Sequence, residues 1–83
     1  MTNLLLQAIQ TKFHGPGNVQ GAKVSARAGA GRKLYPWDHS KNPEDNHRLA
    51  ARMFAQAFGW QGELASGVLH DGSYVHVFIE RSK

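Results

Sequence analysis

Histidines are the side chains in this sequence with the widest chemical range. They stand at His14, His39, His47, His70 and His76. Asp38 could orient His39 as a general base, but no nucleophile is tied to that pair by its spacing, and such a loop pair is more often a local turn contact. Neither His39 with His47 nor His70 with His76 has a recognised metal-ligand spacing. We therefore predict no enzymatic activity, no catalytic residue, no metal and no cofactor.

A glycine-rich segment, Gly29-Ala30-Gly31-Arg32-Lys33, superficially resembles a phosphate-binding loop. It lacks the full spacing, the following Ser or Thr, and a helix that opens directly after it. The segment is therefore interpreted as a hairpin turn.

Positive charge is concentrated in the N-terminal half. The first 37 residues contain no acidic residue, and the net charge of the chain is +4. A one-sided field attracts polyanions or acidic protein surfaces. The predicted basic surface consists of Lys12, Lys23, Arg27, Arg32 and Lys33.

The length of 83 residues fits one small domain, residues 1–83, with a modest core. Cysteine is absent, which excludes disulfides and thiolate metal sites. The apolar run Leu4-Leu5-Leu6 is interrupted at once by Gln7 and has no cationic region before it, so neither a signal peptide nor a membrane span is predicted. We expect a cytoplasmic protein.

Strand patterns precede the single predicted helix. Over residues 3–13, Leu5, Ile9 and Phe13 alternate in the manner of a strand with Gln7 and Thr11 between them. The segment from His14 to Asn18 is rich in turn formers. Residues 21–37 alternate in the manner of a hairpin, with Val24 and Ala26 buried and Lys23 and Arg27 exposed.

The helix is predicted from about residue 43 to Phe58. Asn42 can cap it, Pro43 suits its first position, and Gly59 can end it. Trp60 is expected to fold back on Phe54. The predicted buried stripe consists of Leu49, Ala50, Met53, Phe54, Ala57 and Phe58.

A second hairpin follows, with Asp71-Gly72 as its two-residue turn. In its last strand Val75, Val77 and Ile79 alternate with a row of larger rings. If the aliphatic side packs on the helix, an aromatic surface remains outside; alternatively, neighbouring elements cover the rings or their face is the inner one. The candidate aromatic binding residues are Trp37, Tyr74, His76 and Phe78.

The order of these elements predicts a two-layer α+β domain. We expect a mostly antiparallel sheet of four or five strands, in the order ββ(β)αββ, with one helix on one face. The other face of the sheet then stays open.

Several short motifs occur in order from Thr11 to Phe78. They include Thr11-Lys12-Phe13, the segment Asn18-Val19-Gln20-Gly21, Tyr35-Pro36, Gly59-Trp60 and Gly72-Ser73-Tyr74-Val75-His76-Val77-Phe78. This pattern resembles small conserved, uncharacterised proteins encoded by bacteriophages and other mobile elements of proteobacteria. The resemblance implies a mobile-element accessory protein and brings no catalytic residue with it.

Two functions are open at this point. The favoured one is docking to an unidentified protein partner, with the aromatic row as anchors and the basic hairpin steering approach. The second is a nucleic-acid-binding module in which the basic residues contact phosphates and Tyr74 or Phe78 offers a stacking plane. A homodimer formed through an exposed strand is also possible.

Overall fold

The computed structural model describes residues 8–15 and 21–79 and contains one five-stranded sheet and one helix. The elements in chain order are β1 (Ala8–His14), β2 (Lys23–Ala28), β3 (Gly31–Pro36), α1 (Pro43–Ala57), β4 (Glu63–Val68) and β5 (Tyr74–Ile79). The predicted first strand is thus confirmed for its second half. Residues 3–7 and the loop residues 16–18 lie outside the described residues.

Every neighbouring pair of strands in the sheet is antiparallel, and the strand order is β3-β2-β1-β5-β4. The two hairpins, β2 with β3 and β4 with β5, lie on either side of β1. With α1 on one face, the molecule is the α+β, two-layer domain that the element order predicted.

The helix begins and ends where its capping residues indicate. Asn42 Oδ1 accepts a hydrogen bond from the backbone N–H of Asp45 at 2.8 Å, and Pro43 occupies the first helical position. Gly59 follows the helix with φ of +73°, a conformation that glycine adopts without steric cost. The ring centroid of Trp60 lies 5.8 Å from that of Phe54. The predicted boundaries and the return of Trp60 are confirmed.

The buried side of α1 differs from the predicted apolar stripe. Its buried residues are Asn46, His47, Ala50, Ala51, Phe54 and Ala55. Leu49 is 37% exposed and Ala57 is exposed, although both belong to the predicted stripe. The three small alanines let the helix approach the sheet closely, and hydrogen bonds satisfy the two polar residues. The helix therefore buries a face with smaller and more polar side chains than the face that hydrophobicity alone predicted.

Strand β1 decides which side of β5 faces the helix. Ile9 pairs with His76 and Thr11 pairs with Tyr74, and directly opposed residues share one face of a sheet. Ile9 and Thr11 are fully buried on the helix side. The ring-bearing row of β5 is consequently the inner one, which was one of the alternatives that the sequence left open. The placement of these rings on an open binding surface is wrong, and Val75, Val77 and Ile79 lie outside instead.

The β4–β5 hairpin closes over three residues. The backbone N–H of Leu69 donates to the carbonyl oxygen of Ser73 at 2.7 Å, which leaves His70, Asp71 and Gly72 in the loop. Asp71 Oδ1 accepts from both the backbone N–H and the hydroxyl of Ser73, at 2.9 and 2.6 Å. The predicted hairpin is confirmed, but its turn is one residue longer because the Asp71 side chain organises the loop.

Candidate functional sites on the two faces of the sheet

The outer face of the sheet, the one away from α1, carries a cluster of cations at its β1–β2–β3 end. By strand alternation and register this face presents Lys12, Lys23, Arg27 and Arg32. We call these four residues the cationic cluster. They are four of the five basic residues predicted as a surface.

The register places these cations next to one another. Arg27 lies directly opposite Arg32 on the neighbouring strand. Lys12 lies opposite Ser25, so Lys23 and Arg27 are its diagonal neighbours, about 7 to 8 Å away. Like charges directly opposite each other destabilise a sheet. A bound anion would therefore reduce the electrostatic repulsion between these cations.

A hydrogen-bonded pair lies among the residues of the cationic cluster. His14 Nε2 and Ser25 Oγ are 3.0 Å apart, and Ser25 is only 3% exposed. Strands β1, β2 and β3 contain no Asp or Glu. One of these cations, Lys12, also acts on Asp71 in the β4–β5 loop: the pKa of that carboxyl is lowered mainly by its hydrogen bonds with Ser73 and to a smaller degree by Lys12.

The fifth predicted basic residue, Lys33, lies on the other face of the sheet. Its Nζ is 5.8 Å from the centroid of the Phe58 ring, at the end of the helix. Lys33 directly follows Arg32 in β3, and successive side chains of a strand point to opposite faces of the sheet.

The predicted aromatic binding residues also lie on the helix side. Tyr74 stacks on His47 with ring centroids 4.1 Å apart, and Trp37 contacts the edge of His47 at 5.7 Å. Phe78 is half-buried against Trp60, and His76 is fully buried. These rings pack between helix and sheet and do not form a row on the outer face.

A chain of hydrogen bonds runs between helix and sheet. Ser66 Oγ is 2.6 Å from His76 Nδ1, His76 Nε2 is 2.9 Å from Thr11 Oγ1, and Thr11 Oγ1 is 2.7 Å from His47 Nδ1. Thr11, His47 and His76 are each at most 2% exposed. We call the four residues the imidazole–hydroxyl chain.

Both imidazoles of this chain favour the neutral form. Burial lowers the pKa of His47, and burial, with smaller contributions from His47 and Arg48, lowers the pKa of His76 to about 4. A base whose pKa lies that far below neutrality drives proton transfer from a serine poorly. The contact between Ser66 and His76 therefore serves packing or binding better than it serves nucleophilic catalysis.

One end of the imidazole–hydroxyl chain opens into a cleft of about 820 Å³ between α1 and the edge strand β4. The cleft exists because α1 packs mainly across β1 and β2 and only slightly on β5. Arg48 and Arg52 of the helix form one wall, and Ser66 and His76 lie at its base. The other lining residues are Ala55, Gln56, Trp60, Gln61, Gly62, Glu63, Leu64 and Phe78.

Sequence reasoning did not find the imidazole–hydroxyl chain or the cleft. Its members Thr11, His47, Ser66 and His76 are spread over four elements and have no motif spacing. The available signal was spacing: Thr11 shares the odd-numbered positions of β1 with Ile9 and Phe13, and His47 lies three residues before Ala50 and seven before Phe54 on α1. Which of these residues contact one another can be inferred only when the strand register is known, and the sequence does not provide the register.

No protein-family model, curated protein or solved structure matches this chain. Within residues 8–15 and 21–79, no three His, Asp or Glu side chains come together as a potential metal site. Over the same residues, α1 is too short and too polar to cross a membrane.

Proposed function

We propose that this protein is a non-enzymatic accessory protein of a bacteriophage or other mobile element, and that it binds the nucleic-acid backbone through the cationic cluster. The observation that carries the binding proposal is the direct opposition of Arg27 and Arg32, with Lys12 and Lys23 beside them on the same open face. The mobile-element role rests on the resemblance described above. Phosphates are the natural counter-charges for such a cluster.

The shape of the surface supports backbone contact more than base recognition. Alternate residues along a strand are about 6.5 Å apart, so the cationic cluster is a patch that several phosphates can contact together. The rings that could have stacked on bases, Tyr74 and Phe78, lie on the helix side. We therefore expect binding with little preference for sequence.

Docking to a protein partner is the function that the sequence favoured. Its proposed aromatic anchors are packed beneath the helix, which removes its main support. The outer face still offers an aliphatic end at Val75, Val77 and Ile79, and Ile79 is 44% exposed. Nucleic-acid binding has the stronger support, because the four cations form a larger contiguous group on the outer face than the three aliphatic residues of β5 do.

The test is a titration of mixed-sequence single-stranded and duplex DNA and RNA over a range of salt concentrations. Four phosphate contacts predict a slope of log K against log salt near −3 for single strands and near −3.5 for duplex DNA. The double variant Arg27→Gln, Arg32→Gln should lose about two contacts, so its slope should be shallower by about 1.5 and its affinity lower for every sequence.

Lys33→Gln is the matched control. It removes one cation from the same hairpin but from the other face of the sheet. We expect this variant to bind like the parent protein. The proposal fails if the parent does not bind at low salt, or if Lys33→Gln loses as much affinity as the double variant.

A further inference from the structure

The cleft between α1 and β4 has the composition of a small-molecule site. Its base is polar, formed by Ser66 and His76, while Trp60, Leu64 and Phe78 supply an apolar side. Its volume of about 820 Å³ lies in the range of ligand pockets, about 300 to 1,000 Å³. It is separated from the cationic cluster by the thickness of the sheet.

We propose that this cleft binds a small aromatic phosphate monoester, of the size of a nucleoside monophosphate. The phosphate lies between Arg48, Arg52 and the Ser66 hydroxyl, and the aromatic group lies against Trp60 and Phe78. This site is independent of the nucleic-acid contact proposed for the outer face.

The two arginines provide the charge. Arg48 and Arg52 are four residues apart on α1, so they lie on the same side of the helix, where two like charges disfavour each other. Among the described side chains, Lys41 forms an ion pair with Asp38, and neither Arg48 nor Arg52 takes part in that pair. Arg guanidinium groups match phosphate oxygens in pairs of hydrogen bonds.

Glu63 is the carboxylate among the lining residues. It is at the first position of β4, pairs with Ile79 on the neighbouring strand, and lines one end of the cleft. It already takes part in an interaction of its own. Two arginines against one carboxylate leave the lining of the cleft with a net positive charge.

The imidazole–hydroxyl chain can present a donor to this phosphate without ionising. With two neutral imidazoles, its protons can be ordered in either of two directions. In one direction His47 Nδ1–H donates to Thr11, the Thr11 hydroxyl donates to His76 Nε2, and His76 Nδ1–H donates to Ser66. The Ser66 hydroxyl is then left to donate into the cleft.

A phosphate in the cleft selects that direction. It accepts from the Ser66 hydroxyl, and every other hydrogen bond of the chain is kept. The opposite direction would present only oxygen lone pairs of Ser66 to the phosphate, which is unfavourable. The bound state should therefore hold His76 as the tautomer protonated at Nδ1.

The experiment uses isothermal titration calorimetry with phenyl phosphate and adenosine monophosphate as probes, and with phenol, adenosine and inorganic phosphate as comparisons. We expect both aromatic phosphates to bind more tightly than any comparison compound. Arg48→Gln and Arg52→Gln should each weaken binding about tenfold, the usual size of one charged hydrogen bond. Ser66→Ala should weaken it by a smaller factor.

Two further measurements test the proposal. In the saturated complex, ¹⁵N chemical shifts of the His76 ring should show the proton on Nδ1. The outer-face variant Arg27→Gln, Arg32→Gln should bind these probes like the parent, so that this site and the proposed nucleic-acid surface fail or succeed separately. Equal binding of inorganic phosphate and phenyl phosphate, unchanged affinity in both arginine variants, or a proton on Nε2 in the complex would each overturn the proposal.

Discussion

Acidification from about pH 6.5 toward pH 4 should destabilise this fold. His76 is fully buried, and its pKa is lowered from an ordinary value of 6.5 to about 4. Between those two values the unfolded chain holds a proton at this position that the folded chain excludes. Stability therefore increases with pH across this window and falls as the pH is lowered from about 6.5 toward 4.

The size of the effect follows from the pKa difference. One pKa unit corresponds to about 1.36 kcal/mol, so His76 should lower the free energy of unfolding by roughly 2.5 kcal/mol between pH 7.5 and pH 4.5. His47, whose pKa is also lowered by burial, acts in the same direction. The loss is a large part of the 5 to 15 kcal/mol that is typical for a protein.

Urea denaturation followed by tryptophan fluorescence, at several pH values from 7.5 to 4.5, measures this dependence. His76→Gln should lower stability at neutral pH and make the pH dependence shallower, because one of the two buried imidazoles that titrate is gone while His47 remains. Phe54→Leu is the control, because it weakens the core without removing a titrating group, so it should lower stability and keep the slope. An unchanged stability of the parent over this range, or a slope in His76→Gln equal to that of the parent, would refute the reasoning.

Two substitutions test the buried polar contacts. Thr11→Val keeps the shape of the side chain but removes the hydroxyl that joins the two imidazoles; leaving buried ring nitrogens unpaired should cost about 2 kcal/mol or more. Ser66→Ala should destabilise the protein less than Thr11→Val, because Ser66 is exposed. If both variants lost the same stability in thermal denaturation, the central role of Thr11 in the imidazole–hydroxyl chain would be contradicted. Asn46→Ala should lower the free energy of unfolding by about 2 to 3 kcal/mol, because Asn46 accepts from the Asp38 N–H and donates to the Asp38 carbonyl oxygen. Asn42→Ala removes only the exposed cap and should cost about 1 kcal/mol, so equal losses in the two asparagine variants would show that the buried amide is not special.

The local sequence determined the elements and several of their ends. Asn42-Pro43 and Gly59 set the limits of α1, because a capping side chain, a fixed φ and a positive φ act within a few residues. Alternation likewise determined the β2–β3 hairpin and which of its residues are on one side. These local signals were enough for the α+β, two-layer architecture.

The tertiary structure decided which sides face each other. Hydrophobicity favoured burying the aliphatic side of β5, but the pairing of β1 with β5 placed His76 and Tyr74 beneath the helix instead. The exchange is stable because Thr11, His47 and Ser66 satisfy the imidazole of His76, directly or in sequence. A local pattern cannot show that compensation, since the three partners of His76 come from three other elements, β1, α1 and β4.

The same distinction applies to the candidate sites. Sequence alone identified the basic residues of the N-terminal half, whereas strand register separated Lys33 from the cationic cluster and set Arg27 opposite Arg32. The cleft beside β4 arises from the placement of α1 over β1 and β2. Charge is a property of the residues themselves, but the grouping of charges into a surface or a cleft depends on how distant elements pack.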